Sequence, residues 1–310
     1  MTMINTQTVC VTGAAGFLGS KLCGELLSRG SSVIAIDNFE IGKRSSLSEI
    51  ESNIEIVKAD IRDKESLKDS IKKSDTIFHL AAIDDRKLCQ QNYELAVDIN
   101  IKGTANVLSL CNSMQRFIYM SSNMVYGEAR YLPIDELHPL DGYEPYSTTK
   151  ISSEYLCRGY DFINEVPYTI VRNFNTFGPG QNKSSLIPTL IIEGLTKKKI
   201  EVWTADTVRD FQYIDNCIDN LIKIAESESL VGEVVNLGNG YGTTIGEITN
   251  KICELLGTIN VYIKKPKPVS HKTISNVTKL KTMIDWDPKV SLEEGIKRTI
   301  EYYREELKKG

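Results

Sequence analysis

The sequence predicts a doubly wound α/β fold: a parallel sheet covered by helices on both faces, followed by a smaller α/β region. Three observations carry this expectation. Short β-branched runs alternate with longer amphipathic segments through the first half of the chain. Those runs are almost continuously hydrophobic, as strands are when both faces of their sheet are covered. A glycine-rich loop joins the first run to the first amphipathic segment.

Taken in order, Val9–Val11, Val33–Ile36, Ile54–Val57, Thr76–Leu80, Phe117–Met120 and Tyr168–Val171 read as six strands. The segments Phe17–Ser28, Lys64–Lys73, Asn92–Asn112 and Pro145–Phe162 carry the helical period between them. Strands joined through helices pair in parallel with right-handed crossovers. Near Asn175 the texture changes, and Gly178-Pro179-Gly180-Gln181 marks a turn-rich break. A helix over Leu186–Leu195, short strands near Ile200–Trp203 and Val234–Leu237, a helix over Ile245–Leu256 and a helical tail over Leu292–Lys308 follow. Residues 1–174 are therefore expected to form the main domain. Residues 175–310 form the smaller one, with some segments returning to the first sheet. The Lys197–Lys199 run reads as a solvated helix end, and Lys264–Lys267 as either a solvated turn or the lining of an anion site.

Composition excludes several classes. The 310 residues hold 37 Lys+Arg against 41 Asp+Glu, a formal charge of −4, so no basic field attracts nucleic acid or an anionic membrane. No apolar run approaches the ~18 residues a membrane span needs, and Met1–Thr8 lacks a secretory pattern. The seven cysteines are odd in number, widely spaced and without CxxC or Cys/His clustering. They are expected as reduced thiols, mostly buried, in a cytoplasmic protein with no metal.

The glycine loop points to a cofactor. Val9–Val11 runs into Thr12-Gly13-Ala14-Ala15-Gly16-Phe17-Leu18-Gly19. Three glycines allow a tight turn and close backbone approach to a pyrophosphate, and the helix that follows offers free N–H groups. The spacing is GxxGxxG rather than GxGxxG. The second strand ends in Asp37, whose carboxylate suits both adenosine ribose hydroxyls and repels a 2′-phosphate, favouring NAD over NADP. Lys43 and Arg44 nearby work against that preference.

The candidate catalytic set is Ser122, Tyr146 and Lys150. Tyr146 and Lys150 lie four apart on one helix face. An ammonium beside a phenol lowers its pKa, fitting it for proton transfer to a sugar hydroxyl. Ser122 ends the fifth strand, on the carboxyl edge where such sheets bind ligands.

With these motifs in place, the chain resembles the extended short-chain dehydrogenase/reductases, in particular the NAD-dependent sugar-nucleotide epimerase/dehydratase group with its Rossmann fold. The resemblance spans nearly the whole sequence. It rests on Thr12-Gly13-x-x-Gly16-x-x-Gly19, Asp37-Asn38, Asp60-Ile61, His79-Leu80-Ala81-Ala82, Asn100-x-x-Gly103-Thr104 and Ser121-Ser122-x-x-Val125-Tyr126-Gly127. It continues in Tyr146-Ser147-x-x-Lys150, Arg172-Asn173-Phe174-Asn175, Gly178-Pro179-Gly180-Gln181 and Arg209-Asp210-Phe211. It implies cofactor contacts from Gly13, Gly16, Phe17, Leu18, Gly19, Asp37, Asn38, Asp60, Ile61, Leu80, Ala81, Ala82, Asn100, Tyr146 and Lys150. It implies substrate contacts from Ser122, Asn123, Asn175, Arg209 and His271, with a nucleotide-diphosphate sugar, most simply a UDP-sugar, as substrate. It also implies a homodimer built on Asn92–Asn112 and Pro145–Phe162.

Within that group the chemistry turns on the two positions after the catalytic Ser. The 4,6-dehydratases resembling this chain carry an Asp-Glu pair there, and decarboxylases usually keep a Glu at the second position. This chain has Asn123 and Met124, neither of which transfers protons near neutrality. The expectation is therefore a 4-epimerase, with a dehydratase or related lyase as the alternative and a non-catalytic NAD-binding subunit behind both. Ile83-Asp84-Asp85-Arg86-Lys87 departs from the usual family loop. Asp84 and Asp85 read either as extra acid/base groups or as part of a solvated loop, and Arg86 or Lys87 as partners for an anion. Thr204-Ala205-Asp206 replaces the glycines usual before Arg209-Asp210-Phe211, and His271 or Lys272 stands near a missing late Arg. His79 is expected to be structural, His138 a surface loop residue, and His271 either a surface residue or a phosphate contact.

Overall fold

A computed structural model of the chain describes residues 3–257, 260–263 and 272–309. Its centre is a parallel sheet of β1 (Thr8–Thr12), β2 (Ser32–Asp37), β3 (Glu55–Lys58), β4 (Thr76–His79), β5 (Arg116–Ser122), β6 (Tyr168–Asn173) and a seventh strand, Glu233–Leu237. The spatial order is Glu233–Leu237, β6, β5, β4, β1, β2, β3, and every pair is parallel. The fold is thus the expected Rossmann-type doubly wound sheet. Its seventh strand comes from the later part of the chain, a run the sequence marks as a strand without placing it.

The strands are hydrophobic throughout because both faces are packed. Val9 and Val11 point into one core with Leu22 and Leu26, while Cys10 joins Ile34, Ile77 and Phe117 in the other. Phe17–Ser28 forms as predicted, and Ile214–Glu226 packs beside it. Lys21–Asp215 (2.9 Å) and Arg29–Asp219 (2.7 Å) join the two helices at their rims. The sequence reading missed Ile214–Glu226, whose apolar face Ile214, Cys217, Ile218, Leu221 and Ile222 is wholly buried.

One helical expectation needs correction. The segment expected as one helix over Asn92–Asn112 is Tyr93–Ala96, a π-helical stretch Val97–Gly103 and Thr104–Leu108. A wide turn of this kind admits an extra residue and re-aims the side chains around it. The segment Ile83–Lys87, read either as a solvated loop or as a source of acid/base groups, is exposed from Asp84 to Lys87 and starts a helix, Arg86–Gln91, capped by Asp85, whose carboxylate accepts from the N–H groups of Lys87 (2.8 Å) and Leu88 (3.0 Å).

The later chain adds small sheets. Asn175–Phe177 pairs with Phe211–Tyr213, Lys199–Val202 with Asn260–Ile263, and Val208–Arg209 lies between Thr243–Thr244 and Lys272–Thr273. Helices Leu186–Lys197, Ile245–Leu256 and Leu292–Lys309 cover them. Lys197 ends its helix paired with Glu193, as expected for a solvated end. All seven cysteines are free, and only Cys253 is not fully buried. His138, expected on the surface, is buried: its Nε2 accepts the Arg130 N–H (2.9 Å) and its ring stands edge-on to Tyr126. Lys264–Lys267 lies outside the described residues. Among the described residues, no helix is long and apolar enough to cross a membrane.

One buried ion pair ties helix to sheet. Glu154, on Pro145–Asn164, meets Arg172 of β6 through two bonds (3.0 and 2.7 Å) and accepts from the Ser121 hydroxyl of β5 (2.6 Å). Both partners are essentially inaccessible, at 1 and 2% exposure. Breaking such a pair leaves an uncompensated charge in the core and costs about 3–5 kcal/mol. Glu154→Gln is expected to lower the unfolding free energy from urea titration by that amount, with little change in m-value. A shift under about 1 kcal/mol would show that the pair is not a keystone.

Candidate active site

From β1 the chain runs outward through β2 to β3 and then crosses back to β4 on the other side of β1, so the carboxyl ends of β1 and β4 open a crevice. The glycine loop lies there. Gly13 adopts φ +71°, and a Cβ on it would stand 2.8 Å from the Ala81 nitrogen. A Cβ on Gly19 would meet the Gly13 carbonyl at 2.1 Å. The loop therefore tolerates no side chain at either position, and it lies directly against Leu80–Ala81, the second predicted cofactor segment. Asp37 braces it by accepting from the N–H groups of Ala15 (2.9 Å) and Phe39 (2.8 Å). This cradle, opening onto the N-terminus of Phe17–Ser28 with a carboxylate at the end of β2, fits a dinucleotide.

The other predicted cofactor residues differ in availability. Asp60 is held by Arg62 (2.9 and 2.7 Å) and Asn38 (2.9 Å), which keep its carboxyl well below the usual range. The side chain of Ile61 is buried against Gly103. Asn100 is 1% exposed, and its amide is taken up within the protein. It accepts from the Ile83 N–H (2.8 Å) and donates to the Ile83 carbonyl (3.1 Å) and Thr149 Oγ1 (2.9 Å). Its amide braces the turn at Ile83 against Thr149 of the helix Pro145–Asn164.

His79 is structural, as expected. The Thr104 hydroxyl donates to the Asn100 carbonyl (2.6 Å), so it accepts from His79 Nε2 (2.9 Å), while Nδ1 accepts from Thr12 (2.7 Å). Burial, helped by the Lys150 charge, holds this imidazole neutral and pushes its pKa down to about 3.

Ser122, Tyr146 and Lys150 come together. Ser122 caps the short turn Asn123–Tyr126, its oxygen accepting from the Met124 N–H (3.2 Å), with Asn123 buried beside it. The Lys150 ammonium donates to the Met120 carbonyl (2.8 Å) and lies 5.9 Å from the Tyr146 ring centre and 5.0 Å from that of Tyr119. The expected lowering of the phenol by Lys150 is not found. Burial pushes Tyr146 up, Asp84 adds to the rise, and only the Ser122 hydroxyl opposes it. Burial in turn pushes Lys150 down to about 8, against the pull of Asp84 and Glu154. Asp84 is the charged group the sequence left undecided. It is open to solvent through the cleft yet surrounded by enough protein to raise its carboxyl, an effect the Lys150 ammonium resists.

Across the cleft Asn175 and Arg209 are neighbours. Asn175 pairs with Phe211, and its N–H donates to the Asp210 carbonyl (3.2 Å). Arg209 is lowered by burial and by Arg86, which places the Arg86 loop within its electrostatic reach. Asp210, quoted in the Arg209-Asp210-Phe211 motif but given no role there, is fully buried and accepts from the N–H groups of Asn239 (2.9 Å), Gly240 (3.0 Å) and Ser275 (3.1 Å). A cavity of about 410 Å³ lies in the same lobe, lined by Leu186, Leu190, Val202, Trp203, Thr204 and Ile245 among others. Ile245 follows Thr243–Thr244, the strand paired with Arg209. His271 lies outside the described residues, among which no group of three or more His, Cys, Asp or Glu could hold a metal ion.

The family model described as "NAD dependent epimerase/dehydratase family" matches residues 9–238. The chain is 33% identical to UDP-N-acetyl-alpha-D-glucosaminuronate decarboxylase of Bacillus cytotoxicus, over 95% of this chain and 97% of that protein. Among solved structures it is similar to UDP-glucose 4-epimerase of Thermotoga maritima with UDP-glucose (TM-score 0.90, 28% identity, 97% and 99% of the two chains). It is also similar to UDP-glucuronic acid 4-epimerase of Bacillus cereus in complex with UDP-glucuronic acid and NAD (TM-score 0.85, 29% identity, 96% and 99%).

The position of Lys150 predicts an alkaline limb. Its ammonium loses the proton as pH rises through about 8, so a step that needs the charge is lost above that value. The kcat/KM profile, which reports groups of the free enzyme, should fall from about pH 8 upward. A profile flat to pH 10 would remove Lys150 from the charged role.

Proposed function

Since this chain belongs to the NAD-dependent epimerase/dehydratase family and is an enzyme of that NAD-dependent kind, we propose that it is a nucleotide-sugar 4-epimerase, with a UDP-sugar as substrate. The observation that carries the reading is the pair Asn123 and Met124 beside Ser122. Neither side chain exchanges protons near neutrality, which leaves Tyr146 as the phenol at the reacting oxygen.

In this reading residues 1–174 hold the cofactor and 175–310 cover the sugar nucleotide. Gly13, Gly16, Phe17, Leu18 and Gly19 hold the NAD pyrophosphate, and Asp37 with Asn38 the adenosine ribose. Asp60 and Ile61 flank the adenine, Leu80–Ala82 line the path between the two halves, and Lys150 and Tyr146 hold the nicotinamide ribose. NAD, when bound, supplies the hydride acceptor and donor and a positive charge in its oxidised form. Asn175 and Arg209 hold the diphosphate, for which the planar guanidinium fork is suited. The base occupies the cavity at Trp203.

Tyr146 takes the proton of the sugar 4-hydroxyl, and the Ser122 hydroxyl hydrogen-bonds the same oxygen. Once the 4-ketone has turned over in the site, Tyr146 returns the proton to that oxygen. Both transfers occur at one atom, so one acid/base is enough. The raised pKa of the buried phenol makes it a poor base on its own, and the positive charge of the oxidised cofactor, when bound, would favour its phenolate. A second reading, elimination of the dehydratase or lyase kind, is favoured by Asp84 alone. Its raised carboxyl stands near Tyr146 and would be the extra proton-transfer group such chemistry needs.

Two copies pair in this reading through Tyr93–Leu108 and Pro145–Asn164, where Tyr93 and Tyr155 remain 46 and 59% exposed. Tyr155→Asp should convert a dimer into a monomer by light scattering, and a wild-type monomer contradicts the pairing. Incubation with UDP-, dTDP-, GDP- and CDP-sugars followed by product NMR should show the C4 epimer with no net change in NAD. Tyr146→Phe should lower turnover by ~10²–10⁴-fold. A stable 4-keto or unsaturated product would replace the epimerase with the lyase.

A further inference from the structure

Asp84 is a single residue held between two fixed points. The backbone of Ile83 is gripped at both its N–H and its carbonyl by the Asn100 amide. Asp85 is committed to capping Arg86–Gln91. The Asp84 backbone is therefore held in place beside Tyr146, which packs against the Ile83 cluster, and its carboxylate is the foremost charged influence on both Tyr146 and Lys150.

The cations around it are otherwise engaged. Among the described residues Asp84 makes no ion pair within 4 Å. Arg86, the nearest cation along the chain, is bonded through two nitrogens to Glu144. The Lys150 ammonium gives its hydrogen bond to the Met120 carbonyl. Arg209, on the far side of the cleft, is positioned for phosphate. Asn123 and Met124, on the other wall, bring no charge. The place where the reacting sugar must lie, against Tyr146 and Ser122, is thus bordered by one carboxylate that no short ion pair neutralises.

We propose that Asp84 sets the substrate class: the site takes sugars whose ring carries hydroxyl or ammonium donors and discriminates against those bearing a carboxylate. The inference rests on the nucleotide-sugar reading above. A hydroxyl or ammonium donates to the Asp84 oxygens, whereas a uronate carboxylate meets like charge in a cleft of reduced dielectric. At separations of roughly 7 Å and an effective dielectric near 20, that repulsion amounts to about tenfold in affinity or more.

Calorimetric affinities for UDP-glucose and UDP-glucuronate, measured on the NAD-loaded enzyme, test this. The wild type is expected to bind UDP-glucose at least about tenfold more tightly, and Asp84→Asn to narrow that ratio at least about fivefold by gaining uronate affinity. Asp84→Ala, which keeps no polar group, should narrow it as well while also weakening UDP-glucose. Equal wild-type affinities, or a ratio unchanged in both variants, overturn the proposal. Product NMR on the same samples separates the two levels. Absence of a C4 epimer removes the epimerase reading, while the affinity ratio still decides the role of Asp84.

Discussion

The pairing of Glu154 with Arg172 is the constraint on which the rest of the site depends. Glu154 lies one helical turn beyond Lys150 and two beyond Tyr146, so all three share a face of Pro145–Asn164. Arg172 fixes that face against β6, and the Ser121 hydroxyl fixes it against β5, one residue before Ser122. The same guanidinium reaches Tyr126 (3.1 Å) and the Glu136 carbonyl (3.2 Å), tying in the loop that follows Ser122. Charges this deep add little net stability compared with apolar packing, because desolvation offsets most of their attraction. Their effect is geometric: helix and strand can take only one relative position, and that position brings phenol, hydroxyl and ammonium together.

Desolvation has a second effect at the same place. It raises the Tyr146 phenol and lowers the Lys150 ammonium, so in isolation both groups are driven toward their neutral forms. A site arranged this way holds its reactive groups quiet until ligand charge enters. Asp84 bears on both, supporting the ammonium while opposing the phenolate. The balance among these three groups, rather than the Tyr/Lys spacing alone, sets the proton chemistry.

The parts legible in the sequence were those written in short stretches. The glycine loop, Asp37 and the helix Phe17–Ser28 follow one another within about thirty residues, and each is dictated by local backbone or capping demands. Ser122, Tyr146 and Lys150 were legible for the same reason. The ion pair between Glu154 and Arg172, the burial of His138 and the choice of Glu233–Leu237 as the segment that returns to the sheet depend on partners far away in the chain, and no local pattern encodes them. The misjudged pKa of Tyr146 has the same origin: spacing reported the nearby ammonium, but burial outweighed it. Asp85 is the exception, since an Asp before a helical run is a known start signal.

The wide turn Val97–Gly103 has a consequence for how this architecture tolerates change. π-helical winding is uncommon and less favourable than the α-form, and it survives where side-chain contacts demand it. Here the Asn100 amide, at its centre, grips Ile83 and Thr149, while Gly103, at its end, leaves room for Ile61. The spare residue in the winding is thus a gauge of length: it matches the helix to the distance between the cofactor loop and the catalytic helix. Chain length in this stretch is therefore coupled to the alignment of both walls of the cleft. An insertion or deletion here would act on the reaction as surely as a substitution within the site.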